Sequence, residues 1–304
     1  MLKFTKIKLE LLTDIDQVHF IKKGIRGGIS QCSLRSAKAN KPNLPSSFLV
    51  YWDANNLYGW AMSQFMPVSN FKWLTENETQ NLDFNSIPDN SDFGYILDAD
   101  IEYLEDLHDL HNDLPFLAQN LIAPNNRCES ERRLIPNLFD KKNYVIHYRN
   151  LKQAVAHGLK VRKINRVLSY RQSAWLKSYI DKNTELRQSA KNAFQKDFFK
   201  LMNNSVFGKT MENVDKRVDV RLVTSWDDVH TGKTTGRPRL GARSVIAKLN
   251  FKSIKVFTET FSAIQMDRLH VVYDKPLYVG FTVLELSKLL MYNFYYDFLK
   301  PKYG

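Results

Sequence analysis

The alternation of apolar and polar positions divides the chain into a few readable elements. Apolar residues run from about Phe48 to Trp52, which predicts a strand, and the turn after it leads into a short helix near Leu57–Gln64. The segment from Phe93 to Tyr103 alternates well enough for a strand. The stretch 144-YVIHYRNLKQAVAHGLKVRKINRVLSY-170 reads as strand, helix, a glycine stop at Gly158, and a second strand. Residues 173–206 predict two helices. Short strands are expected near Val245–Leu249, Ile254–Thr258 and Ala263–Met266, with a further strand at His270–Tyr273 and a closing helix near Leu284–Leu299. Between these lie segments without such a pattern. Residues 1–47 are basic and mixed, with a glycine-rich turn, 24-GIRGG-28, and the polar stretch 41-KPNLPSS-47, which reads as a linker. Residues 75–92 read as a loop, 104–128 as irregular, and 226–243 as a flexible basic loop. No internal repeat or low-complexity tract is visible. Strands and helices interleave irregularly, which argues for an α+β fold rather than a regular βαβ array.

The helix 191-KNAFQKDFFKLMNNSVFGK-209 carries two stripes. At about 100° per residue, Phe194, Phe198, Leu201 and Ser205 share one side, which predicts a core face. Lys196, Lys200, Asn204 and Phe207 fall on another side, and Gly208 ends the helix. For the lysines alone the plainer reading is a solvated face. Phe207 changes the balance. A ring at the far end of a lysine stripe suits a ligand that is flat at one end and anionic at the other, and a nucleoside triphosphate is both.

Composition narrows the picture. The 304 residues, with 43% hydrophobic content, suffice for one large domain or two smaller ones. No run of some 18 apolar residues occurs, so no membrane partner is expected. The N-terminus does not read as a secretion signal. Cys32 and Cys128 are the only cysteines, too few for a disulfide framework or a zinc site, which makes a reducing compartment the default without fixing which one. Lysine and arginine number 44 against 32 acids, a formal charge of +12 with pI near 9.5. That excess suits a polyanionic partner, and a merely basic soluble protein is the plainer alternative.

The acid that ends the first strand is the other focus. In 51-YWDANNLYGWAM-62 an apolar run meets Asp53 and then a tight turn. A carboxylate at a strand end beside a turn is a common magnesium ligand, and a capping Asp with an Asn turn accounts for the same residues about as well.

Together, 53-DANNLYGWAM-62 and 200-KLMNNSVFGK-209 resemble motifs A and B of family B DNA polymerases, motif B having the core K-x-x-x-N-S-x-aromatic-G. The resemblance is to the organellar and viral protein-primed branch, particularly the polymerases of Polinton/Maverick-type mobile elements. It extends to 24-GIRGGISQ-31, 135-IPNLFDKKNYVIHYRNLK-152 and 275-KPLYVGFTVLELSKLLMYNFYYDF-298. It implies a polymerase palm sheet with helical fingers and insertion subdomains, lacking exonuclease and thumb. It implies that Asp53 is catalytic and, with the Ala54 carbonyl, holds magnesium, two ions being expected in an intact enzyme. Tyr58 would lie under the deoxyribose. Lys200, supported by Lys196, would grip the triphosphate, while Asn204, Phe207 and Gly208 would face the nascent base pair. Gly27 and Gly28 resemble an aromatic-x-Gly-Gly element that touches the template, although no aromatic stands clearly in the first position. Lys209, Arg237 and Arg239 would contact DNA. The implied partners are a DNA primer-template, a dNTP and a terminal-protein primer.

The same resemblance divides the chain into a junction region over 1–47, palm over 48–66, an insertion resembling a terminal-protein region over 67–167, fingers over 168–210, and a palm return with a second insertion over 211–304. A D-T-D hairpin carrying the second metal-binding aspartate is expected just after the segment that ends here, and no Y-x-D-T-D occurs in the sequence. The 304 residues alone are therefore expected to have little or no polymerase activity. Two rivals stand beside this reading: a non-catalytic DNA-binding remnant, and a fragment without a stable fold. Other groupings are weaker. Asp98 and Asp100 share a strand face, and His108, Asp109, His111 and Asp113 cluster within about a turn, but neither set has a completing ligand. Lys233, Arg237, Arg239 and Arg243 form a basic loop suited either to phosphates or to solvent.

Overall fold

The computed structural model describes residues 1–32, 34–43, 45–122, 132–229 and 239–303. In chain order the helices are α1 (Leu2–Thr5), α2 (Ile15–Gly24), α3 (Leu57–Met62), α4 (Glu76–Gln80), α5 (His108–His111), α6 (Tyr148–Ala156), α7 (Lys177–Gln188), α8 (Ala193–Thr210), α9 (Ala242–Ile246), α10 (Leu277–Asn293) and α11 (Lys300–Tyr303). The strands are β1 (Met66–Trp73), β2 (Phe93–Glu102), β3 (Gln119–Ile122), β4 (Arg132–Ile135), β5 (Lys141–His147), β6 (Lys160–Ser173), β7 (Asp219–Val223), β8 (Phe251–Thr258) and β9 (Phe261–Met266). They form two compact units, residues 1–211 with 275–304, and residues 212–274. The mixed α+β class expected from the sequence holds.

The first unit is built on an antiparallel sheet in the order β1-β6-β2-β5. Its side chains alternate between two cores, as a period of two requires. Ile96, Val145, Leu168 and Tyr170 face α2, α3, α8 and α10. Leu97, Ala99, Ile101, Tyr144, Ile146 and Val167 face α6 and the tyrosines Tyr292 and Tyr296. Helix α10 is apolar all round and correspondingly buried. Gly24 and Gly280 allow close approach to it. A Cβ at Gly24 would stand 2.7 Å from Phe281 and 2.8 Å from Val145, and one at Gly280 would stand 2.3 Å from the Met211 sulfur. Helix α2 starts at Asp14, whose side chain accepts from the Asp16 amide at 2.8 Å and from Trp73 Nε1 at 3.0 Å. These bonds hold the Asp14 carboxyl below its ordinary range.

The second unit is a three-stranded antiparallel sheet, β7-β9-β8, covered on one face by α9. Val223, Ile264 and Met266 meet Ala242 and Val245 there. Arg217 ties the ends of this unit together, reaching Glu212 at 2.7 Å and Asp274 at 3.1 Å.

Several expectations are corrected. Phe48–Trp52 is not a strand: it hydrogen-bonds to no neighbour among the described residues, and its side chains are exposed. An apolar run becomes a strand only where a partner takes its N–H and C=O groups. Residues 245–249 give the end of a helix, because Ala242 and Val245, three apart, cover the sheet together. His270–Tyr273 is irregular, with Val271 and Val272 both exposed. On α8 the expected core face is the exposed one: Phe194 is 78% exposed, Phe198 46% and Leu201 62%. Asn203, Val206 and Thr210 are buried instead, because α7, joined by a short turn, lies against Asn203 and α10 lies against Thr210. The elements α2, β1, α4 and β7 lie in segments that showed no clear period.

The histidine cluster, which lies in the segment expected to be irregular, is partly buried. The His111 ring is fully enclosed, its Nδ1 2.9 Å from the Tyr103 hydroxyl, and burial lowers its pKa to about 4. His147 is also enclosed, 2.9 Å from the Tyr170 hydroxyl, with its pKa well below the ordinary value. Both fold as neutral rings, so the unfolded chain takes up protons first as pH falls through the ordinary value of 6.5. Stability is expected to be full above pH 6.5 and to decline towards pH 4, by on the order of 1 kcal/mol per pH unit for each ring. Urea denaturation across that range checks this. His111→Phe should flatten the slope without abolishing it, since His147 still titrates.

Candidate nucleotide site

Two segments converge on one side of the first unit. The chain leaves Asp53 and Ala54, both exposed, and turns at Asn56, which adopts a left-handed backbone with φ 57°. Asparagine tolerates this conformation better than most residues. The Asn56 side chain folds over Gly59, where a Cβ would stand 2.0 Å from Asn56 Nδ2, so the glycine and the turn require each other. The Trp60 amide closes the first turn of α3 onto the Asn56 carbonyl at 2.9 Å. Tyr58 then points toward α8, and its ring centroid lies 4.5 Å from that of Phe207.

On α8, Lys196 and Lys200 line a cavity of about 750 Å³ whose opposite wall includes Asn55, Asn56 and Trp60. Lys177, Asp181 and Arg187 of α7 complete it. Lys177 and Asp181 neutralise each other at 2.6 Å. Lys196, Lys200 and Arg187 have no acidic partner among the described residues. The cavity therefore presents three uncompensated cations, an arrangement that favours an anion.

The structure brings together Tyr58 with Phe207, and Lys196 with Lys200, and sets Asp53 and Ala54 two residues and one residue before a wall of the same cavity. Tyr58 and Phe207 pack together against the core beside the cavity and are absent from its lining, as is Asn204, which is exposed. Its neighbour Asn203 is buried there, accepting from Asn183 Nδ2 at 2.9 Å. Gly208 and Lys209 are exposed at the end of α8. Gly27 and Gly28 are exposed, with nothing within 4 Å of an added Cβ. They follow a firmly held residue: Arg26 lies 3.6 Å over the Tyr144 ring, donates to the Val145 carbonyl at 2.8 Å, and accepts from Lys288 at 3.0 Å. Arg239 lies in the second unit, its backbone bridged to Val229, and Arg237 lies outside the described residues. Asp98 is paired with Lys23 at 3.0 Å, a structural use that fits the plainer reading of that acid.

Sequence reasoning missed Arg187, Trp60 and Asn203. The signal for Arg187 is its place near the turn joining two helices, where side chains of both face one cleft. For magnesium, Asp53 and Ala54 offer exposed oxygen donors of the right hardness, and such an ion takes one or two carboxylates plus substrate phosphates. No group of three or more His, Cys, Asp or Glu side chains gathers into a metal cluster among the described residues.

Residues 3–301 match the family of organellar and viral type B DNA polymerases. The chain belongs to that family. Among solved structures it is similar to an orthorhombic crystal form of Phi29 DNA polymerase, with 14% identity and TM-score 0.52, over 97% of this chain and 43% of that one. It is similar also to Phi29 DNA polymerase complexed with primer-template DNA, with 13% identity and TM-score 0.50, over 96% and 42%. The chain thus spans less than half the length of these structures, and the likeness is one of fold. No curated protein matches it.

The Asn183–Asn203 bond gives a test of how the cavity floor is held. Asn203→Leu should destabilise the protein by about 1–3 kcal/mol, because it leaves a buried amide without its acceptor. The double variant Asn183→Leu/Asn203→Leu should recover part of that loss in chemical denaturation.

Proposed function

We propose that the cavity between α3 and α8 receives the incoming nucleotide of a template-directed DNA polymerase. The reaction is nucleotidyl transfer from a dNTP to a 3′-hydroxyl, with pyrophosphate leaving in line. The observation that carries this reading is the apposition of two distant segments: Tyr58 packs on Phe207, and Lys196 and Lys200 line one cavity with Asn55 and Asn56. The lysines, with Arg187, neutralise the triphosphate. The Tyr58–Phe207 pair supplies an apolar surface for sugar and base. Asp53, with the Ala54 carbonyl, holds magnesium. The ions, when bound, screen the phosphates and favour ionisation of the attacking hydroxyl.

Gly27, Gly28, Lys209, Arg237 and Arg239 are read as DNA contacts in the same proposal, and Gly208 as part of the nucleotide site. Asn204, being exposed, is available to the template side rather than to the cavity. A primer-template is the expected second substrate, and a terminal protein the expected primer. Two-metal transfer needs a second anchoring carboxylate, which these 304 residues do not supply in the expected motif.

Binding of a fluorescent dNTP analogue tests the reading. Lys200→Ala should weaken magnesium-dependent binding by about 10–100-fold, the worth of charge-assisted bonds of ~1.5–3 kcal/mol. Asp53→Asn should remove the magnesium dependence, and chelation should do so in the unaltered protein. The 304 residues alone should extend a primer little or not at all. Binding of primer-template with unaltered dNTP affinity in Lys200→Ala would favour a DNA-binding remnant instead.

A further inference from the structure

A second groove of the first unit, lined by α4 and β6, lies apart from the proposed nucleotide cavity. Strand β6 is longer than its neighbour β1. Pairing between them runs only from Leu168 to Ser173, with one added bond from the Leu74 amide to the Val167 carbonyl at 3.0 Å. From Lys160 to Arg166, β6 pairs with β2 on one side only, and on its other side its backbone bonds to nothing among the described residues. That open edge runs for about 20 Å. Facing it is α4, and between them is a groove of about 860 Å³.

The groove has an apolar floor and a basic rim. Leu82, Phe84 and Ile164 lie in its lining, and Arg162, Lys163 and Arg166 stand against one acid, Glu76. Arg166 is fixed by stacking, 3.9 Å over the Trp73 ring. Arg162 also contacts Glu102 beyond the groove. Register shifts at residues 162 and 165 make two bulges in β6. Bulges and basic side chains discourage pairing with another flat sheet, including that of a second copy. They leave room for one short, flexible strand of opposite charge.

We infer that this edge is a docking site for an extended, acidic segment of a partner protein, which adds as a strand beside β6 with alternate apolar side chains on the groove floor. A strand edge offers donors and acceptors in alternation, and a peptide backbone answers both, whereas a phosphodiester backbone offers acceptors only. The rim selects acidic over basic segments. This inference stands independently of the nucleotide-site reading.

The test uses the 304-residue chain and a labelled peptide of about ten residues alternating valine and glutamate. Three comparison ligands are its lysine-for-glutamate counterpart, a copy N-methylated at alternate amides, and an oligo-dT of similar length. Fluorescence anisotropy and amide hydrogen exchange are read together. The acidic peptide should bind and slow exchange within residues 160–166. The lysine and N-methylated peptides should bind at least about tenfold more weakly, as should the acidic peptide to Arg162→Glu/Lys163→Glu, whose melting temperature should match that of the unaltered protein. Absence of binding, equal binding of the N-methylated copy, protection elsewhere, or protection of 160–166 by oligo-dT instead of the peptide would overturn the proposal.

Discussion

The first unit depends on the enclosure of one helix. Helix α10 buries residues on every side, so each element around it is fixed by the shape it presents. Toward the N-terminus Phe281 meets Gly24, and Tyr278 donates to the Glu10 carbonyl at 2.7 Å. Toward α8, Gly280 admits Met211 and Thr210. Toward α6, Asn150 and Gln153 donate to the carbonyls of Glu285 and Leu289 at 2.8 and 2.9 Å. At its last turn Tyr292 donates to the Pro115 carbonyl, and just beyond its end Tyr296 donates to the Leu114 carbonyl, each at 2.6 Å. One consequence lies at α3 and α8, which both rest on this helix: that shared support sets Tyr58 against Phe207.

The buried acids of this frame, Asp98 and Glu285, are paired rather than isolated. Glu285 is almost wholly enclosed on α10, and Lys288 meets its carboxylate at 3.0 Å while also donating to the Arg26 carbonyl. Removing one member would leave the other buried and uncompensated, which costs more than the pair gains. The constraint therefore specifies position: it fixes where the chain leaves Arg26 for the exposed glycines that follow. The glycines themselves have open space around them, so their backbone freedom is not demanded by packing within this unit.

Much of the fold was legible where a period was strong. The segment from Tyr144 to Tyr170 was read as strand, helix, glycine stop and strand, and β5, α6, Gly158 at φ 99° and β6 follow that order. The two helices after residue 173 were equally plain. Other features were hidden for physical reasons. Helix α2 carries lysines and aspartates among its buried residues, so its composition reads as linker although Val18, Phe20 and Ile21 are buried. The α8 faces were inverted because a periodic stripe tells which side chains align, not which neighbour arrives. A buried Asn203 beside exposed phenylalanines is a tertiary outcome, decided by the connection to α7. Of the candidate site, the residue types were legible, but the packing of Tyr58 on Phe207 was not, because it depends on how α3 and α8 rest on α10. Arg187 was not, because a lone arginine on an amphipathic helix looks like any solvated cation.

The failed strand at Phe48–Trp52 bears on the chemistry. A carboxylate works as a metal ligand when the backbone beneath it is held to a fraction of an ångström. From Asn56 onward the chain is held by the α3 turn and its glycine. Before Asn56 the support is different in kind: Trp52 touches Phe294 with ring centroids 5.8 Å apart, and no ladder of hydrogen bonds locks the segment. Asp53 thus sits at the junction of a rigid and an unladdered stretch. The backbones that carry Lys196, Lys200 and Arg187 are held within helices α8 and α7, whereas the backbone that carries Asp53 is held by no ladder among the described residues. In the proposed site the carboxylate, not the cations, is therefore the group whose backbone has still to be fixed before it could hold an ion to a fraction of an ångström.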